Sequence, residues 1–150
     1  MKIIAIGRNY AAHAAELNNA IPTKPIIFLK PDTAVLKDNK PFYLPAFSDD
    51  VHYELEVVLK ICKEGKHIAE KFASNYYEEI GLGIDFTARD IQAEHKEKGL
   101  PWELAKAFDN SAVISNFFPK SDYRNMYDLK FELKKNGESK QNGHTANLLF

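Results

Sequence analysis

An α+β fold dominated by β-strands is the class this sequence predicts, and three observations predict it. The stretch VHYELEVVLKI, Val51–Ile61, alternates its apolar residues with the period of two that a strand requires. Asn136 and Gly137 form a turn pair between two further alternating runs, the usual mark of a β-hairpin. The helical patterns, by contrast, are few and short.

The elements follow in order. MKIIAIG has one lysine and an apolar run too short for a signal peptide, so it predicts a first strand. GRNYAAHAAELNNA is alanine-rich and predicts a helix, with Asn9 as its N-cap. PIIFLKP is a short strand fenced by Pro25 and Pro31, and DTAVLKDNKPFYLPAFSDD is a loop with three turn-forming clusters. The 51–61 strand should turn back at KEGKH in a hairpin. AEKFASNYYEEI predicts a helix that feeds the apolar strand GLGID. TARDIQAEHKEKG predicts a polar helix stopped by Gly99 and Pro101. LKFELKKNGESKQNG closes the series as a second hairpin, and no internal repeat or low-complexity tract interrupts it. The sequence ends ANLLF, three apolar residues with no polar tail, which predicts a piece of a longer domain.

Composition narrows the function. A chain of 150 residues fits one domain, and 45% hydrophobic with 27% charged residues describes a globular protein. Twenty basic and 21 acidic residues are interleaved, for a net charge of -1, so no basic patch is set aside for nucleic acid or an anionic membrane. No segment has the roughly 20 apolar residues that cross a bilayer. The one cysteine, Cys62, excludes an internal disulfide and fits a reducing, cytoplasmic setting. Placed mid-strand with only Lys60 and Lys63 to activate it, it is a poor nucleophile.

The residues with chemistry to offer are carboxylates. Glu54 and Glu56 share one strand face, roughly 7 Å apart at their Cα atoms. Either that face is a solvent-facing edge, where acids cost little, or the pair holds a cation that cancels their repulsion. Asp85 follows the apolar strand with two glycines, where backbone can approach closely, and is equally suited to cap the next helix. Two glutamates and an aspartate would form an all-oxygen set that favours Mg²⁺ or Mn²⁺ over zinc. His52 adds an imidazole better suited to softer metals. His13 and Glu16, three residues apart, share a helix face and form either an acid–base pair or an ordinary exposed surface. Arg89, Gln92 and Lys106 are polar residues near helices, commonly solvated, and Trp102 reads as core.

Six motifs in register, IGRNYAAHAAE, PIIFLKPDTA, HYELEVV, GIDFTARDIQ, KGLPWELAKAFD and NGESKQNGHT, resemble the fumarylacetoacetate hydrolase family. The likeness is to its short branch of acylpyruvases, fumarylpyruvate hydrolases, oxaloacetate decarboxylases and hydroxyhepta-dienedioate isomerases. This resemblance implies a mixed β-roll over 1–150, C-terminally incomplete, because the family continues into a Thr-Gly-Thr-Pro segment that lines the substrate site. It implies Mg²⁺ or Mn²⁺ on Glu54, Glu56 and Asp85, and a catalytic pair of His13 and Glu16 on a helical lid. It maps Lys106 and Gln92 onto substrate contacts and Arg8 and Arg89 onto motif positions of looser role. It further implies a homodimer acting on a small 2-oxo acid, by hydrolysis of an acylpyruvate or by decarboxylation or isomerisation through the same site.

Overall fold

A strand with apolar residues at every second position can bury one face, and in Val51–Ile61 that face is buried at Leu55, while Leu59 and Ile61 stay exposed. The computed structural model describes residues 1–10 and 21–150. Its strands are β1 (Ile3–Gly7), β2 (Ile26–Lys30), β3 (Val51–Ile61), β4 (Tyr77–Ala88), β5 (Ala112–Ile114), β6 (Phe118–Pro119), β7 (Lys130–Lys135) and β8 (Glu138–His144). The helices are α1 (Arg89–Lys98) and the single-turn α2 (Glu103–Lys106). The architecture is mostly β, as the sequence predicts.

Among the described residues three sheets build it. β1 and β2 form an antiparallel ribbon, β3-β4-β5 a larger sheet with β6 also on β4, and β7-β8 a hairpin. β4 is the axis, because β3 and β5 flank it and Ile80, Thr87 and Ala88 bury within it. Glu54 lies opposite Asp85 and Glu56 opposite Gly83 in the β3–β4 register. Residues opposite one another in an antiparallel pair share a face, so this register brings the three predicted carboxylates to one side of one sheet.

Gly83 shows why glycine recurs in this strand. A Cβ there would lie 2.9 Å from Val58 Cγ2 and 3.0 Å from the Val113 carbonyl oxygen. The β7–β8 turn uses the other property of glycine: Asn136 and Gly137 have φ of 54° and 83°, the left-handed pair that a two-residue hairpin turn needs. Helix α1 stops as predicted. Gly99 is left-handed at φ 65°, and the Leu100 N–H closes on the His95 carbonyl at 2.8 Å.

Several expectations are corrected. The 69–80 stretch is not one helix: a 3-10 turn, Glu70–Tyr76, gives way to β4, because Tyr77 and Ile80 are taken into pairing with Ile61 and Leu59. The return from β3 to β4 is therefore a long connection and not a tight hairpin at KEGKH. Asp85 does not cap α1, since it lies within β4 and the cap position is Ala88. The turn into α1 is held instead by Asp90, which accepts from Ser48 Oγ at 2.6 Å and the Asp49 N–H at 3.0 Å, while the Arg89 N–H donates to the Asp50 carbonyl. Cys62 sits exposed just past β3, its N–H bonded to the Tyr76 carbonyl. The predicted alanine-rich helix falls largely outside the described residues, and Asn9 Oδ1 accepts from the Leu149 and Phe150 N–H groups at 3.1 and 2.9 Å.

Gly83→Ala should destabilise the fold by about 1–3 kcal/mol, because the new methyl meets a backbone oxygen that cannot step aside; urea denaturation of the two proteins measures it.

Candidate metal and substrate site

Register places the carboxylates; cations then organise them. Lys106 leaves the end of α2 with 3% of its surface exposed and spends its ammonium on three acceptors. These are Glu54 Oε2 at 2.8 Å, Asp85 Oδ2 at 2.7 Å and Thr87 Oγ1 at 2.6 Å. The α2 turn aims it there, through Ala105 and Lys106 N–H bonds to the Trp102 carbonyl at 3.0 and 2.9 Å. Arg89 Nη2 donates to the other oxygen of Glu54, and Arg89 Nη1 to Gln92 Oε1 at 2.6 Å. Gln92 is 3% exposed.

Lys30, at the end of β2, approaches from the other side. It is 3% exposed and donates to the carbonyls of Lys106 and Ser111 and to Ser111 Oγ. Its Nζ also lies 2.8 Å from Asp85 Oδ1, a second ion pair on that buried carboxylate. Burial pushes the Lys30 ammonium below its ordinary pKa, and Asp85 opposes that shift.

These carboxylates are not an exposed acidic edge. Lys106, Gln92 and Arg89 are built into the site and are not solvated surface. Among the described residues, no three Asp, Glu, His or Cys side chains stand close enough to ligate one ion as they are. Two observations nonetheless fit a hard cation. The donor set is all oxygen, and Lys106 already holds a positive charge between Glu54 and Asp85, whose Oδ1 has no hydrogen bond. His52 stays outside this set, exposed and 3.0 Å from Asp50 Oδ1. His13 and Glu16 lie outside the described residues.

The cluster opens onto a cleft of about 1490 Å³, reached also by Arg8, Lys96, Phe28 and Trp102. Arg8 is left-handed at φ 57°, and its buried Nε has no hydrogen-bond partner. Lys96 has its pKa lowered by burial first and then by Arg8 and Arg89, so this end of the cleft is rich in cations. Trp102 packs on Phe28 at 5.9 Å between ring centroids while facing the cleft. Lys30 and Thr87 are functional neighbours that sequence reasoning missed. A lysine closing the apolar run IIFLK was the available signal for the first; a threonine two residues beyond Asp85 gave none.

The fumarylacetoacetate (FAA) hydrolase C-terminal family model matches residues 2–150. Oxaloacetate tautomerase FAHD1, mitochondrial, of Bos taurus is 42% identical over 148 residues, covering 99% of this chain and 67% of that protein. Oxaloacetate decarboxylase, mitochondrial, of Dictyostelium discoideum is 39% identical over 150 residues, covering 99% and 69%. Fumarylpyruvate hydrolase from Pseudomonas aeruginosa, solved in complex with Mn²⁺ and pyruvate, superposes with a TM-score of 0.92 at 33% identity, covering 99% of this chain and 66% of that one. The chain thus spans about two thirds of the length of these relatives.

Replacing Lys30 by Met should cost about 1–3 kcal/mol, because it removes one of two ammoniums paired with buried Asp85 and the donor to the Lys106 and Ser111 carbonyls; chemical denaturation checks this against Lys37→Met, whose ammonium is exposed.

Proposed function

Because the chain belongs to the fumarylacetoacetate hydrolase family, we propose that it is a metal-dependent enzyme that hydrolyses the carbon–carbon bond of acylpyruvate-like 2-oxo acids. The observation that carries this reading is the facing pair Glu54 and Asp85, part-buried and buried on adjacent strands around one positive charge. Glu54, Glu56 and Asp85 are the proposed metal ligands. When bound there, Mg²⁺ or Mn²⁺ supplies Lewis-acid stabilisation of the negative charge that gathers on the 2-oxo oxygen as the bond breaks. Arg89 orients Glu54, and Gln92 in turn orients Arg89. Lys106, buried with its three donors on Glu54, Asp85 and Thr87, is the proposed stabiliser of a substrate oxyanion once a metal ion takes over the two carboxylates. His13 and Glu16 are the proposed pair that takes a proton from the attacking water; water adds to the distal carbonyl, and the departing fragment leaves as a 2-oxo acid once protonated.

A second reading is decarboxylation or tautomerisation of oxaloacetate, and two observations favour it. Two of the relatives are named for those reactions. The cationic end of the cleft, with Arg8, Arg89 and Lys96, suits a substrate that carries a second carboxylate. Decarboxylation releases carbon dioxide without an attacking water, and tautomerisation only moves a proton, so one set of ligands serves all three. The proposal extends to a homodimer in the cytoplasm, although the relatives just cited are named as mitochondrial. No helix among the described residues is long and apolar enough to cross a membrane.

Titrating Mn²⁺ and following the free ion by electron paramagnetic resonance should show saturable binding near one ion per chain, abolished in Glu54→Ala and in Asp85→Ala. Full binding by either variant would remove the ligand assignment. With acylpyruvate and oxaloacetate supplied to the same preparation, Glu16→Gln should lower kcat for hydrolysis by about 10²–10⁴-fold. It should spare decarboxylation; equal losses on both would count against a water-activating role.

A further inference from the structure

Among the described residues β3 is an edge strand, with one side of its backbone facing no strand partner. That open edge is closed at one place by a side chain. The Leu55 N–H donates to Gln141 Oε1 at 2.7 Å, and Gln141 Nε2 donates to the Leu55 carbonyl at 2.9 Å. These are the two bonds that a neighbouring strand would make, and a primary amide offers the same donor and acceptor in one plane. Gln141 comes from β8, opposite Leu133 of β7, and Lys135 of the same hairpin lies 5.2 Å over the ring of Tyr53. The hairpin therefore seats on β3 at Tyr53 and Leu55.

The position matters more than the bonds. Leu55 stands between Glu54 and Glu56 and is 6% exposed. Backbone groups alternate in direction along a strand, so while Leu55 turns to Gln141, its two neighbours turn to Asp85 and Gly83 of β4. We propose that Gln141 is a positioning residue for the two glutamates: its amide acts as a strand one residue long, fixing the tilt of β3 and so the direction of both carboxylates toward Asp85. This role rests on the metal reading above only for its consequence, because the clamp itself acts on the strand.

The test compares Gln141→Leu with Phe131→Leu, which loosens the same hairpin at its Tyr10 contact and leaves the amide in place. Two quantities are read: the Mn²⁺ dissociation constant, and the ¹³C shifts of the Glu54 and Glu56 carboxyl carbons without metal. Gln141→Leu should weaken Mn²⁺ binding about 10–100-fold, the usual cost of losing support behind a ligand, and move both carboxyl shifts. Phe131→Leu should lower Tm and move neither. Unchanged values in Gln141→Leu, or equal changes in Phe131→Leu, would overturn the proposal. Should the unaltered protein bind no Mn²⁺, the metal reading fails and the carboxyl shifts alone decide the clamp. Should Gln141→Leu not fold, Gln141→Glu, which keeps an acceptor for the Leu55 N–H and loses the donor, is read in the same way.

Discussion

Everything near the cleft depends on one ammonium. Lys106 is the cation that touches both Glu54 and Asp85; without it, Lys30 and Arg89 would each hold one carboxylate and nothing positive would lie between the two. With it, the same register becomes a scaffold. Lys106 needs the α2 turn to reach inward, α2 needs the stop at Gly99 that sends the chain across β4, and Thr87 takes the last donor. A substitution in any of these therefore reaches the carboxylates through the lysine. The arrangement also explains why so much of the buried surface is polar, with Lys30, Asp85, Thr87, Gln92 and Lys106 all buried beside small apolar residues such as Ala88, Ala105 and Ala112. Burying charge this way favours a single geometry over maximal stability.

The strands were readable because alternation is a local signal. β3 runs over the same residues that the pattern predicts, and the Asn136-Gly137 turn is where its chemistry demands. The 69–80 stretch was misread because its aromatic spacing fits a helix as well as a 3-10 turn leading into a strand; only pairing with Ile61 and Leu59 decides between them, and pairing is not local. Within the site, the acids were visible as residue types on one face. Of their cations, Lys106 and Arg89 entered only through the family resemblance and Lys30 not at all, since Lys30 and Lys106 are 76 residues apart in sequence and meet only in the fold, where Lys30 Nζ donates to the Lys106 carbonyl. A lysine is usually solvated, and nothing in its flanking residues announces that it will be buried. Gln141 was hidden for the same reason: its partner is 86 residues away.

Family membership and local geometry answer different questions. The first brings a class of chemistry and a set of relatives whose names divide among tautomerisation, decarboxylation and hydrolysis. The second shows why such a division is natural. Under the proposed function, one cluster that gathers negative charge on a keto oxygen would serve any of these reactions, and what would change between them is whether water attacks and where a proton goes. Under the same proposal, specificity would belong to the periphery of the cleft, where Arg8 and Lys96 stand, more than to the carboxylates.

Counting charge at that base gives a last consequence. Among the described residues, Lys30, Arg89 and Lys106 equal Glu54, Glu56 and Asp85 in number, their ion pairs running to Glu54 and Asp85, so these six side chains are formally neutral together. A dication added to a neutral set leaves two positive charges in a poorly solvated place, which is the deficit a dianionic ligand fills. Metal and substrate would then raise each other's affinity by the same factor, since linkage is reciprocal. Each would then bind more tightly in the presence of the other.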